Sequence, residues 1–182
     1  MKKLSFMFAA VALAASVKAA SVSWTCTNVK NNKGEPINGV AYFINAATLS
    51  QDDFKKLDSA EKFNNALGNT YSFTSSDAGK YTHAAVDNAV LGLTDASASQ
   101  AYLVIFDTAT ITDTSKYYMT EVKSFDALGG TETQQVKWGS QSTASQAAGA
   151  WANVKPEAVP EPTSGLLMLL GMAGLALRRK RA

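Results

Sequence analysis

Two uncharged segments, one near each end of the chain, limit what this sequence can fold into. Near the N-terminus, Lys2 and Lys3 precede the uncharged run 4–17. Near the C-terminus, a run of apolar residues and glycine ends at four consecutive cations. A helix on the surface of a soluble domain has a polar face, and this second run has none. We therefore expect the globular fold to lie between the two segments.

The N-terminal segment has the order of a secretory signal, in which cations precede an apolar stretch and then small residues. Val17 and Ala19 fit the small or aliphatic positions before a cleavage point. We predict a signal peptide over residues 1–19, cleaved after Ala19, with cleavage after Ala20 as the alternative. The Sec translocon is then the expected export partner. A buried N-terminal helix is the competing interpretation.

The C-terminal segment is short for a membrane span. As a helix it would be about 20 Å long, against roughly 30 Å of bilayer hydrocarbon. Flanking residues and the snorkelling stems of two arginines lengthen it to about 25 Å, enough for a thin bilayer. We predict a membrane helix, with a soluble-core helix as the alternative. The predicted helix comprises Gly165, Leu166, Leu167, Met168, Leu169, Leu170, Gly171, Met172, Ala173, Gly174, Leu175, Ala176 and Leu177. The cations that stop it are Arg178, Arg179, Lys180 and Arg181.

The charge distribution separates the middle of the chain from its ends. Cations flanking membrane segments stay in the cytoplasm, which places the middle outside. Between Ala20 and Pro162 there are ten basic and fifteen acidic residues, a net charge of −5. Since the excess of basic residues belongs to the ends, we expect no nucleic-acid partner.

The C-terminus resembles the PEP-CTERM sorting signal of Gram-negative bacterial surface proteins. The resemblance covers residues 159–182 and rests on Val-Pro-Glu-Pro, the apolar run and the terminal cations in that order. It implies that an exosortase, an integral membrane protease-like enzyme, recognises Pro160, Glu161 and Pro162 and removes the tail. Both prolines favour extended chain before them, which an enzyme can grip. A plain proline-rich linker before an anchor is the alternative.

The resemblance also implies a destination. It predicts a precursor anchored in the inner membrane by its C-terminal helix, and a mature form at the cell surface or in an extracellular matrix. Exopolysaccharide is the candidate partner there.

Strand patterns dominate the exported part, which we divide into a β-domain (20–139) and a tether rich in Ser, Ala and Gln (140–158). Residues 21–27 alternate strictly, with Val22, Trp24 and Cys26 on one face. Residues 133–138 alternate likewise, and 101–106 are apolar on both faces, as in a central strand. Further strands are predicted at 39–44 and 117–123, and weaker ones at 71–74, 80–85 and 89–93.

One segment, 49–69, has helical spacing of its apolar residues, with Ser50 as a possible N-cap and Gly68 as a stop. We expect this helix to pack across a sheet edge or the end of a sandwich, with partner binding as the alternative. The predicted fold is all-β, a mostly antiparallel β-sandwich with one short helical insertion. A cleavable N-terminal signal helix and a C-terminal hydrophobic helix complete it.

Few residues offer catalytic chemistry. Cys26 is the only cysteine, so no internal disulfide can form, and its inward position favours a small core residue over a reactive thiol. His83 is the only histidine, which excludes a multi-histidine metal site. We predict neither a metal nor a cofactor. A catalytic role for His83 is disfavoured because no G-x-S-x-G surrounds a serine.

Two sets of residues leave other functions open. Asp107 with Asp113 or Glu121 could form the carboxylate pair of a glycoside hydrolase. Residues 107–115 lack the Gly and terminal Glu of the known calcium loop and fit a strand end and polar turn better. Trp24 and Trp138 are phased as core residues. Trp151 lies in the tether, where it could contact the domain or the membrane interface.

We therefore expect an exported protein that is not an enzyme and whose β-domain is structural or adhesive. The alternative is a carbohydrate-binding module or a glycoside hydrolase acting on exopolysaccharide.

Overall fold

The computed structural model describes residues 20–157. The predicted signal helix, the C-terminal hydrophobic helix and the sorting residues lie outside this range. The strands are β1 (Ser21–Thr27), β2 (Val40–Asn45), β3 (Ser72–Thr74), β4 (His83–Asp87), β5 (Ser97–Phe106), β6 (Lys116–Met119), β7 (Lys123–Ala127), β8 (Thr133–Ser140) and β9 (Trp151–Asn153). The helices are α1 (Gln51–Phe54), α2 (Ala60–Leu67) and α3 (Ser142–Gln146).

The strands form two sheets. The smaller sheet has the order β4-β1-β8, and the larger has the order β3-β2-β5-β6-β9, with β7 also paired to β5. β1 and β8 run parallel, whereas the other pairs are antiparallel. The prediction of a mostly antiparallel all-β fold is confirmed.

A first core fills the space between the sheets. Val22, Trp24 and Cys26 of β1 are fully buried there, as their alternation predicts. Val136 and Trp138 of β8 join them from the neighbouring strand. The larger sheet contributes every second residue of β5, namely Ala101, Leu103 and Ile105.

A second core lies on the opposite face of the larger sheet. The intervening residues of β5, Tyr102, Val104 and Phe106, are fully buried against Phe54 of α1 and Phe63 of α2. This double burial explains why β5 is apolar on both faces. The helical segment therefore covers a sheet face and not the predicted sheet edge or sandwich end.

The predicted single helix over 49–69 is two helices. Ser50 caps α1 as predicted, accepting a hydrogen bond from the Asp53 N–H at 3.1 Å. A second cap, Ser59, starts α2 and accepts from the Lys62 N–H at 3.4 Å. The extended backbone at Ser59 interrupts the helical pattern, and α2 ends at the predicted Gly68.

The predicted strand 117–123 is also divided, because Thr120 interrupts the backbone ladder. The Thr120 hydroxyl accepts from the Leu103 N–H at 2.9 Å, in the place of a main-chain carbonyl. β6 therefore ends at Met119, and β7 begins at Lys123.

One of the three weaker strand predictions, 89–93, is wrong. The N–H of Leu93 donates to the Asn88 carbonyl at 2.9 Å, and Gly92 has a φ of +64°. This hydrogen bond and the positive φ of Gly92 show that the chain turns here. At 80–85 only the later residues are in a strand, because Lys80 belongs to the turn around Gly79.

The folded part of the chain continues beyond residue 139 into the predicted tether. α3 lies within it, and Ser145 on that helix is buried. β9 pairs with β6 through Lys116 and Asn153, and Val154 is fully buried in the second core. Trp151 anchors this stretch by contacts described below.

Candidate functional site

The two ends of the described fold lie next to the predicted processing sites. At the C-terminal end, the Val154 N–H donates to the Ser115 carbonyl at 2.9 Å, and Lys155 pairs with Asp113 at 3.2 Å. The chain from Val154 to Pro160 spans at most about 20 Å when extended. The predicted recognition residues therefore follow closely after the folded domain.

At the N-terminal end, the two predicted cleavage points differ in whether they leave Ala20 in the chain. Ala20 is only 2% exposed, and its carbonyl accepts from the Asn88 N–H at 2.9 Å. The next residue, Ser21, donates its N–H to the Glu132 carbonyl at 3.0 Å. Cleavage after Ala19 keeps Ala20 in the fold, whereas cleavage after Ala20 removes a buried residue with its hydrogen bond.

His83 lies on β4 beside aromatic residues. Its ring is stacked on Trp24, with ring centroids 5.3 Å apart. Nδ1 lies 2.9 Å from the Ala84 carbonyl, which can only accept, so Nδ1 carries the proton. In the neutral ring Nε2 then accepts from the Tyr71 hydroxyl at 2.9 Å. Both ring nitrogens are thus engaged in contacts that hold β4.

Cys26 is fully buried in the first core, as predicted. Burial raises the pKa of its thiol to about 12. The thiol is therefore protonated at neutral pH, whereas a nucleophile or metal ligand needs the thiolate.

The three candidate carboxylates hold local structure. Asp107 accepts from the Lys116 N–H at 2.8 Å, and Glu121 pairs with Lys123 at 2.6 Å. Asp113 accepts from the first N–H of α2, that of Ala60, at 2.9 Å. This bond, with the Lys155 ammonium beside it, lowers the pKa of Asp113. Within residues 20–157, no three His, Cys, Asp or Glu side chains are grouped closely enough to hold a metal ion.

The tryptophans do not form an exposed aromatic row. Trp24 and Trp138 are buried, and the Trp138 indole donates to the Glu121 carbonyl at 2.9 Å. Trp151 is half-buried, and its Nε1 lies 3.0 Å from the Lys30 carbonyl and 2.9 Å from the Ser145 carbonyl. It therefore contacts the domain, one of the two positions expected for it.

A cleft of about 670 Å³ opens at one end of the larger sheet. Its floor is the first part of β5 paired with β7, and its walls are the turn after β2 and the turn 92–94. Because its residues come from four separate segments, no local sequence pattern predicted it. The separated hydroxyl residues Thr94, Ser97 and Ser99 were the available sequence signal.

No helix in the described range combines the length and apolar character needed to cross a bilayer. The predicted membrane helix falls on residues that the structure does not describe.

Comparison with known families agrees with the resemblance drawn from the C-terminal residues. The family described as the PEP-CTERM protein-sorting motif matches residues 158–181. This motif marks the class of exported proteins that an exosortase processes. The chain is therefore a PEP-CTERM sorting domain-containing protein. Neither a curated protein nor a solved structure matches it.

Proposed function

We propose that this chain is a surface or matrix protein whose β-domain has a structural or adhesive role and no enzymatic activity. The observation that carries the proposal is the sorting-motif match at 158–181. The Sec translocon exports the chain, and its C-terminal helix holds it in the inner membrane of a Gram-negative bacterium. The exosortase then removes that helix, and the mature domain stays at the cell surface or in the matrix, beside exopolysaccharide.

The charge distribution supports this route. The net charge of −5 between Ala20 and Pro162 leaves no excess of cations in the exported segment. The clusters at both ends remain on the cytoplasmic side.

The close spacing between fold and motif supports a domain that sits near the membrane before processing. Val154 is buried, and the extended chain from there to Pro160 spans at most about 20 Å. The mature domain therefore carries only a short C-terminal extension after cleavage.

The contacts of the candidate acids favour a non-enzymatic domain over a glycoside hydrolase. Asp113 accepts from the first N–H of α2 and pairs with Lys155, and Asp107 accepts from the N–H at the start of β6. A glycosidase needs one protonated acid and one carboxylate facing a shared substrate. These side chains are instead committed to backbone and lysine partners.

The proposal is tested by expressing the chain in a host with its exosortase and in the same host lacking that enzyme. We expect surface location and a shortened chain in the first strain. In the second we expect a full tail and retention in the inner membrane fraction. The same size and location in both strains would contradict the proposal.

A further inference from the structure

The cleft at the end of the larger sheet exists because β5 is longer than its neighbour β2. The last pair between them is Asn45 with Ala101. Beyond it, Ala46 makes one more bond, donating its N–H to the Gln100 carbonyl at 2.8 Å, and the chain then turns away. The start of β5, 97–99, is left paired with β7 alone. The cleft occupies the space beside this uncovered edge.

The cleft walls are fixed by hydrogen bonds. The Asn45 side-chain amide donates to the Gly92 carbonyl at 2.7 Å and so joins the two walls. On the floor, the Gln100 amide donates to the Ser124 hydroxyl at 3.2 Å. The orientation of these polar groups is therefore set before any ligand arrives, which lowers the entropy cost of binding.

The lining has the chemistry of a site for hydroxyl-rich molecules. It offers four hydroxyls, at Thr94, Ser97, Ser99 and Ser124, besides the two side-chain amides. The Ser97 and Ser99 hydroxyls donate their protons to the Thr94 and Ser97 carbonyls, so their oxygens are left to accept hydrogen bonds from sugar hydroxyls. The Thr94 and Ser124 hydroxyls can both donate and accept. Phe125 and small alanines in the lining provide apolar contact for the C–H face of a ring.

The charge of the lining restricts the ligand further. Asp126 is its only charged residue, and no lysine or arginine lines the cleft. A carboxylate without a cation repels anionic ligands such as uronate or sulfate sugars. Among sugars, the anionic ones are therefore disfavoured and the neutral ones fit the lining.

A smaller cavity of about 120 Å³ lies next to the cleft, since Asn45 and Gly92 line both. Tyr71 and Val90 belong to its lining, and Val90 is 54% exposed. Apolar surface next to a polar cleft suits a chain of several sugar rings better than a single sugar ring. The main volume also falls within the range of about 300–1,000 Å³ usual for small-ligand sites.

We propose that this cleft binds a neutral oligosaccharide. The proposal deepens the adhesive role proposed above and rests on it for its biological setting. Binding itself is a property of the purified chain, so its failure would leave the export route untouched.

The test uses the full chain purified in a detergent without a sugar headgroup. Cellotriose, xylotriose and N-acetylchitotriose are titrated by calorimetry, with trigalacturonate as the anionic counterpart. We expect at least one neutral trisaccharide to bind with a Kd of about 1 mM or tighter, and trigalacturonate not to bind.

Two variants locate the site. Ala98→Trp places an indole on the cleft floor, and its matched control is Ala85→Trp, at an exposed alanine on β4 of the other sheet. We expect Ala98→Trp to weaken binding by tenfold or more, about the loss of one good anchor, and Ala85→Trp to leave it unchanged. Ser124→Ala removes a single hydroxyl from the lining, a smaller change that should leave the fold intact. It should weaken binding roughly threefold to tenfold.

Three results would each overturn the proposal: no neutral trisaccharide binds, trigalacturonate binds as tightly as the best neutral one, or folded Ala98→Trp and Ser124→Ala both retain full affinity. Should Ala98→Trp fail to fold, the Ser124→Ala measurement decides alone.

Discussion

The indole of Trp151 donates a hydrogen bond of 3.0 Å to the carbonyl of Lys30, which joins β9 to a loop near the start of the fold. The same N–H lies 2.9 Å from the Ser145 carbonyl. The ring packs against Tyr118 of β6, with centroids 5.8 Å apart. One side chain therefore ties α3, β6 and β9 to the first loop, immediately before the sorting motif.

Replacing Trp151 by Phe should lower the free energy of unfolding by about 1–2 kcal/mol, because two part-buried carbonyls lose their donor while most of the ring contact remains. Urea denaturation of the chain without its signal and tail measures this. Val122→Ala, at an exposed residue, is the control and should change stability by no more than about 0.5 kcal/mol. Equal stability of the Phe variant and the parent would show that the indole N–H does not hold this segment.

Cys26 should resist alkylation in the folded protein. Burial raises the pKa of its thiol to about 12, so almost no thiolate forms near pH 8. We expect no labelling by iodoacetamide under native conditions and complete labelling in concentrated urea, followed by mass spectrometry. Rapid native labelling would mean that the first core opens around β1.

The raised pKa of Cys26 also sets the direction in which the stability of the fold changes with pH. The thiol of the unfolded chain ionises above about pH 8.5, while the folded thiol stays neutral until near pH 12. Ionisation thus favours the unfolded state, and Cys26 lowers stability as pH rises through this window. Cys26→Ala should flatten that part of the stability profile.

Asp113 should contribute stability that is lost in acid. Its pKa is lowered by the Ala60 N–H and then by Lys155, so the contribution is present above the unfolded pKa, about 3.9, and disappears as pH falls through the folded value. Asp113→Asn keeps an acceptor for the Ala60 N–H and should destabilise the protein less than Asp113→Ala. Thermal melts from pH 7 to 3 should show the difference between parent and Ala variant narrowing in acid. A constant difference would contradict this role.

The sequence predicted the structure correctly where the pattern of apolar and polar residues depends only on nearby residues. The alternation of β1 and β8 was enough to place Trp24 and Trp138 in the core, and Ser50 was recognisable as a helix cap. These features depend on neighbours within a few residues. The double-sided apolar pattern of β5 likewise predicted burial on both faces.

Interruptions and distant contacts were not predictable in the same way. Thr120 divides a strand because its hydroxyl meets Leu103 on another strand, and Ser59 starts a new helix inside a continuous helical pattern. The stretch around Trp151 resembles a linker in composition, but its indole bonds to Lys30, a residue more than a hundred positions earlier in the chain. The Thr120 and Trp151 contacts depend on tertiary partners that the local sequence does not specify, whereas the Ser59 cap is local but lies inside a continuous helical spacing of apolar residues.

The sorting motif gives a direct test of recognition. Replacing Pro160 and Glu161 by Ala should leave the tail uncleaved in a host with its exosortase. Pro156 and Glu157 offer a matched control, since they are the same residue types a few positions upstream. Processing should be lost in the first variant and normal in the second, as measured by protein mass. Identical processing in the two would show that the enzyme does not read residues 160 and 161.

The most direct test of export and processing is the intact mass of the protein recovered from its native cell surface. The full chain has a mass of 19.3 kDa. We predict a smaller species that begins at Ala20, the first buried residue of the fold, and lacks the apolar segment 165–177. Recovery of the full 19.3 kDa chain in the cytosol, with both end segments intact, would contradict the account.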